Sequence, residues 1–354
     1  LSLILTLIIS LLLTIPTVTA SRLLLAWMHT PENIIAMADA YIKVIFAGIL
    51  LTMAYNVLSG ILRGIGDSRT PLYFLILSSV LNIILDVVLI VYTGLGTAGA
   101  AYATIIAQGV SAVLCFFYMY RKYEILRTRR EDYYLDSAGV KNMLAIGVPM
   151  ALNYSITAIG TMIMQSAVNV FGSSVVAAFT AASKVSNIAT QSMPTLGTAM
   201  ATYCGQNLGA GKYDRIYAGM RQGLFLCFGA AATAAAICIF GGRFIVSWFV
   251  SNPSEEIFSS AMQYLTIASW FFLPLAMIFL YRNALQGLDQ GLIPMLSGVI
   301  ELACRFGVIA LVPASTGFFG VCFADPAAWA GAGIPLFVTY LLWEHRMKQC
   351  PKAA

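Results

Sequence analysis

The sequence predicts an all-α polytopic membrane protein, on three observations. Of its 354 residues 60% are apolar and 10% are charged, and the mean hydropathy is +0.84. The apolar residues gather in runs long enough to cross a bilayer. The basic residues fall in alternate connections between those runs. A soluble domain carries roughly 25% charged residues, and this chain has too few to keep a surface of its size in water. The same composition excludes disorder. A net charge of +5 spread over the whole length gives no dense basic face for nucleic acid. Runs such as Leu3–Leu13 do not alternate apolar and polar residues, which excludes a β-barrel.

Ten segments qualify as transmembrane helices, since about 20 residues at 1.5 Å each cross a ~30 Å hydrocarbon layer. They are roughly 1–27, 37–62, 71–92, 98–120, 142–170, 175–204, 220–250, 257–281, 292–312 and 318–343. The first opens on Leu1–Leu13, which lacks the basic flank of a signal peptide and runs on as a full span. The fifth and sixth are divided only by Phe171–Ser174. The connections Arg63–Thr70, Arg121–Lys141, Gly205–Arg221 and Arg282–Gly291, with the tail Glu344–Ala354, hold 15 of the 20 Lys and Arg. The intervening connections hold none. The first set is therefore expected in the cytoplasm, and an even number of spans returns both ends there. Arg22 and Arg243 lie near helix ends, and Lys43, Lys184 and Arg305 within spans.

The two halves repeat, in one order and at a nearly constant offset. Arg22 and Trp27 match Arg243 and Trp248, Pro31 matches Pro253, and Tyr41 matches Tyr264. Leu62, Arg63 and Gly64 match Leu285, Gln286 and Gly287, and Pro71 matches Pro294. Gly96, Gly99, Tyr102 and Ala103 match Gly317, Gly320, Phe323 and Ala324. The offset covers an even number of helices, so the repeats are parallel, with an axis along the membrane normal. The stretch Gly139–Arg221 holds two spans and has no first-half counterpart. Two further helices are thus expected before Leu1, giving twelve spans as two six-helix lobes. The expected division is a partial N-terminal lobe over 1–127, a cytoplasmic linker over 128–138 and a C-terminal lobe over 139–354.

Two motifs invite a nucleotide reading, and neither has the right setting. Gly94, Gly96, Gly99 and Ala100 match the dinucleotide fingerprint, which works only between a strand and a helix. Here it joins two spans, where small residues serve close helix packing. Gly205–Lys212 resembles a P-loop, but Tyr213 stands where Ser or Thr is required. Transport would then draw on ion gradients. The seven Cys contain no CxxC pair and read as small apolar packers. His29 and His345 fall at opposite membrane faces, and no paired carboxylates share one depth, so no enzyme active site is expected.

The intramembrane polar residues are the informative set. Asn82 and Asp86 share a face of the third span at i,i+4 spacing. A carboxylate at that depth costs ~3 kcal/mol on insertion scales and is usually functional. It is accommodated either protonated or beside a cation, which suits a proton- or sodium-coupled site. The alternative is a neutral Asp hydrogen-bonding a neighbouring helix. Glu301 and Arg305 form a second i,i+4 pair, read either as structural or as a ligand site. Pro149, Pro194, Pro274 and Pro335 fall inside apolar segments, where each is read either as a static kink or as a bend that opens and closes a cavity.

Gly64, Gly66, Asp67, Ser68, Arg69, Thr70 and Pro71, then Asn82 and Asp86, then Gly96, Gly99, Tyr102 and Ala103 resemble the multidrug and toxic compound extrusion family. So do Met193 and Pro194 followed by the run Gly205–Gly211. The resemblance runs nearly end to end and is nearest in texture to the prokaryotic DNA-damage-inducible-F-like branch. It implies two six-helix lobes forming a V around a cavity, with residues 1–354 as helices three to twelve. It implies a bacterial inner-membrane antiporter without a cofactor. Such a protein exports small organic, often cationic, compounds for Na⁺ or H⁺, and is expected to act as a monomer. By the family's motif, the first-lobe cation site would include Tyr41, Asn82, Asp86 and Thr104, with a further Asp before Leu1. Tyr41, Asn153, Thr157, Glu301 and Arg305 would line the substrate cavity. Other members carry an acidic residue on helix seven, whereas Pro149–Gln165 contains Asn153, Ser155, Thr157 and Gln165 but no carboxylate. That departure points to coupling in the first lobe. Two other readings remain at this stage. A lipid-linked oligosaccharide flippase of related fold would use Lys43, Lys184 and Arg305 for phosphate, and a chain short of two helices would be an inactive fragment.

Overall fold

A computed structural model describes residues 1–27, 30, 32–127, 136–250, 254–312 and 314–349. His29, Pro31, Pro253, Cys350 and linker residues 128–135 lie outside the described residues. The described chain is helical throughout, and its contacts divide it into two compact units, Leu1–Lys141 and Asn142–Ala354.

The first unit contains α1 (Ser2–Thr19), α2 (Ser21–Trp27), α3 (Glu32–Ala47), α4 (Ile49–Gly64), α5 (Arg69–Val87, continued by a π turn over Val88–Tyr92) and α6 (Gly96–Lys122). The helix α7 (Ser137–Asn169) leads into the second unit. That unit continues with α8 (Ser173–Thr190), α9 (Ser192–Gly209), α10 (Tyr213–Phe249), α11 (Glu255–Trp270), α12 (Phe272–Gly287), α13 (Leu292–Leu311), the short α14 (Gly317–Val321) and α15 (Ala324–Gln349). Among the described residues, seven helical segments are long and apolar enough to cross a membrane, and two bent pairs raise the number to nine. The expected span over 175–204 is the pair α8 and α9, which meets at Gln191 and is not among those nine.

The repeat read from the sequence recurs in the backbone. The pair α3 and α4 bends by 45°, and α11 and α12 bend by 53°. Both ends of all four helices correspond at a single offset: Glu32 with Glu255, Ala47 with Trp270, Ile49 with Phe272 and Gly64 with Gly287. After α4, Gly66 takes φ +95° and Asp67 N–H returns to Leu62 O at 2.9 Å. After α12, Asp289 takes φ +64° and Gln290 N–H returns to Leu285 O at 2.8 Å. This is one helix-ending turn used twice, with the left-handed residue satisfying an orphaned carbonyl. Gly96 (φ +55°) and Gly317 (φ +56°) open α6 and α14 in the same way.

The proline expectations divide. Pro194 and Pro274 are the third residues of α9 and α12, just after breaks at Gln191 and Phe271. Each break falls where the ring would clash with the preceding turn. Pro149 and Pro335 lie within α7 and α15. In the dinucleotide look-alike, Gly94 and Gly96 turn the chain with positive φ and open space around them, and Gly99 is the packing residue. A Cβ on Gly99 would stand 2.9 Å from Leu89 O, so α6 presses against the backbone of the π turn.

Outside the spans, Asp67 ties the α4–α5 turn to the end of α6. It accepts from Thr70 N (3.0 Å), Thr70 Oγ1 (2.6 Å) and Tyr123 Oη (2.5 Å), with Lys122 Nζ at 3.6 Å. Burial raises its pKa, but the Thr70 and Tyr123 hydrogen bonds and the Lys122 charge outweigh that and hold it well below the usual carboxylate range.

Candidate functional site

Each unit holds a polar cluster among apolar helices. In the first, Asn82 Nδ2 on α5 donates to Thr104 Oγ1 on α6 at 3.4 Å, and Thr104 donates to Ala100 O at 3.0 Å. Asp86 follows Asn82 by one turn on the same face. Its Oδ1 is buried and accepts no hydrogen bond among the described residues, and the same holds for Gln108 Oε1, one turn beyond Thr104. Aliphatic residues make up most of α5 around it, so the carboxylate lies in a strongly apolar stretch of chain. Amide, hydroxyl and carboxylate oxygens are the donors that suit a proton or a hard cation. Tyr41, on α3, is 39% exposed and makes no hydrogen bond among the described residues. No group of three or more His, Cys, Asp or Glu gathers for a metal among the described residues.

Asp39 is a carboxylate that sequence reasoning missed. It is buried on α3, where Ser21 Oγ donates to it at 2.6 Å and Lys43 Nζ at 2.7 Å. The i,i+4 spacing of Asp39 and Lys43 is the available signal, the same one that marks Glu301 and Arg305. Lys43 is thereby paired, and Lys184 lies over the Phe249 ring at 5.4 Å.

The second unit holds a partly open cavity of about 470 Å³. Hydroxyls and amides from α7 and α8 line one side, among them Asn153, Thr157, Gln165 and Asn187. Four charged side chains line the other: Arg282 on α12, Glu301 and Arg305 on α13, and Asp325 on α15. Glu301 accepts from Arg282 Nη2 at 3.0 Å and from Arg305 Nη2 at 3.3 Å. Arg305 Nε donates to Asp325 at 2.9 Å, and Tyr264 Oη donates to the other Asp325 oxygen, also at 2.9 Å. A Cβ on Gly160 would overlap Arg305 Nη1, so α7 leaves out a side chain where the guanidinium lies. Asn153 anchors α7 to α13 through Nδ2 to Pro294 O at 2.9 Å, and Thr157 donates to Asn153 O at 3.0 Å. The Glu301–Arg305 pair expected on one helix is thus part of an ion-pair network over three, joined by Tyr264 from α11.

Two expectations are corrected here. The polar flanks of Arg282 place it in a cytoplasmic connection, but α12 continues to Gly287 and buries the residue to 9% exposure. No carboxylates are expected to pair at one depth, but Glu301 and Asp325 both bind Arg305. A network of this kind holds its helices in register, since removing one member leaves an uncompensated charge.

The MatE family model matches residues 1–88 and 149–311. The probable multidrug resistance protein YpnP of Bacillus subtilis is 31% identical over 303 residues, 85% of this chain and 67% of its own length. The chain belongs to the MatE family. The FAD transporter of Shewanella oneidensis is 26% identical over 299 residues, which are 81% of this chain and 63% of that protein. The chain thus spans about two thirds of the length of these relatives. A solved outward-facing multidrug resistance MATE transporter of the MOP superfamily aligns with a TM-score of 0.89 at 22% identity. That alignment covers 98% of this chain and 78% of the other, and it extends the MatE fold over both units. MatE proteins are membrane transporters rather than enzymes.

Proposed function

We propose that the protein is a secondary active efflux antiporter. It exports organic, often cationic, drugs or toxic compounds in exchange for Na⁺ or H⁺ by alternating access. The observation that carries this reading is the buried, unpartnered Oδ1 of Asp86 one turn from the Asn82–Thr104 pair. Proton or cation binding there satisfies the carboxylate. Each unit charge moved across 100 mV supplies ~2.3 kcal/mol, enough for one or two ions to drive a useful gradient. The second-unit cavity supplies the substrate surface: amides and hydroxyls to orient a polar group, and the Phe179 and Trp329 side chains among its lining for an organic body.

The lobes proposed are residues 1–127 and 139–354, with 128–138 as a cytoplasmic linker. Both ends face the cytoplasm of a bacterial inner membrane, and the protein acts as a monomer. A phosphate-carrying lipid substrate is disfavoured, because two of its three expected cations, Lys43 and Arg305, are already committed to carboxylates, which leaves Lys184 over the Phe249 ring. The test is efflux of a cationic dye by the intact protein in vesicles, with ΔpH and ΔNa⁺ imposed separately. Efflux driven by one of the two supports the reading, and efflux driven by neither refutes it.

A further inference from the structure

We propose that Arg305 is a resident cation. Its guanidinium holds, in the second unit, the place that the coupling ion takes in the first, and so confines ion coupling to the first unit. This rests on the reading of Asn82, Asp86 and Thr104 as the ion site.

The argument starts from the repeat. Tyr41, Ser59, Ser78 and Asn82 correspond to Tyr264, Arg282, Glu301 and Arg305, all at the offset that relates Glu32 to Glu255. Thr104 corresponds to Asp325, at the offset that relates Gly96 to Gly317. The contact between equivalent positions is also repeated. Asn82 reaches Thr104 at 3.4 Å, and Arg305 reaches Asp325 at 2.9 Å.

The chemistry at these positions changes as a set. Ser59, Ser78, Asn82 and Thr104 are neutral, whereas their counterparts are two cations and two carboxylates. Two of each sign keep the buried set electrically balanced, which a single change would not. The position of Asp86 is taken by Ile309, so the carboxylate with an unpartnered oxygen in the first unit has no counterpart in the second.

In the second unit, the carboxylates that could hold a cation already hold one. Glu301 receives Arg282 and Arg305, while Asp325 receives Arg305 and Tyr264, so each of the four carboxylate oxygens accepts a hydrogen bond. Arg305 is only 4% exposed, and Gly160 leaves room for its guanidinium. A free cation could enter only by displacing that guanidinium, which is tethered and always charged.

The test makes the site accept an ion from outside. In an Asp86→Asn background, Arg305→Asn leaves Glu301 and Asp325 with Arg282 as their one cation. The purified protein is then expected to gain a rise of about 3 °C or more in thermal midpoint when Na⁺ or guanidinium replaces choline at equal concentration. Asp86→Asn alone should show no such rise. Adding Asp325→Thr to the Arg305→Asn protein should abolish it, because the surplus carboxylate is gone. No cation response in the Arg305→Asn protein overturns the proposal. If that variant does not accumulate, saturable Na⁺ binding to the Asp86→Asn protein decides: its absence supports the proposal. Binding that persists there and survives Asn82→Ala overturns it. Binding that persists but is lost with Asn82→Ala belongs to the first unit and counts against the Asp86 reading instead.

Discussion

Asn82 and Arg305 occupy the same position of the two repeats, and each contacts an equivalent position downstream, Thr104 on α6 and Asp325 on α15. One scaffold thus carries an amide–hydroxyl contact beside the Asp86 carboxylate in the first unit and a closed ion-pair network in the second.

The network should respond to the loss of single members more than to the loss of a pair. Arg282→Met leaves Glu301 with Arg305 alone and should lower stability by about 3–5 kcal/mol. Arg282→Met with Glu301→Leu removes one cation and one anion and leaves Arg305 on Asp325. The double variant should recover most of the loss. Thermal midpoints of the purified proteins measure both, and a double variant less stable than the single one would contradict the scheme.

Gly160 should be intolerant because of Arg305. A Cβ there overlaps Nη1, so Gly160→Val must displace the guanidinium. The expected loss is about 1–3 kcal/mol. Combining it with Arg305→Asn should relieve the clash, so the two effects should be clearly non-additive in a double-mutant cycle.

Asp67 should make the first unit acid-sensitive. Its folded pKa is depressed, so it binds fewer protons folded than unfolded near its ordinary value of roughly 3.9. Its contribution is therefore present above that value and lost as pH falls towards the folded pKa. Asp67→Asn should lower the thermal midpoint at neutral pH, and the gap to the unaltered protein should narrow below about pH 4. A gap that is constant with pH would assign the effect to packing alone.

Much of this was legible in the sequence, because composition and charge distribution act over whole helices. The repeat was legible through Trp, Pro and Gly positions that packing and turns hold fixed. Asn82 and Asp86 were visible because i,i+4 neighbours on one helix are neighbours in space. Asp325 was not, since its partners Arg305 and Tyr264 come from other helices. Arg282 was hidden by polar flanks that read as a loop while α12 carries on to Gly287. The bend at Gly48 has no proline to announce it, although its counterpart at Phe271 is followed by Pro274.

The most direct test of the central claim is dye efflux by the Asp86→Asn protein in vesicles, with the same ion gradient that drives the unaltered protein. Coupled efflux should disappear while the amount of protein in the membrane stays the same. Coupled efflux retained at the unaltered rate would contradict Asp86 as the ion site.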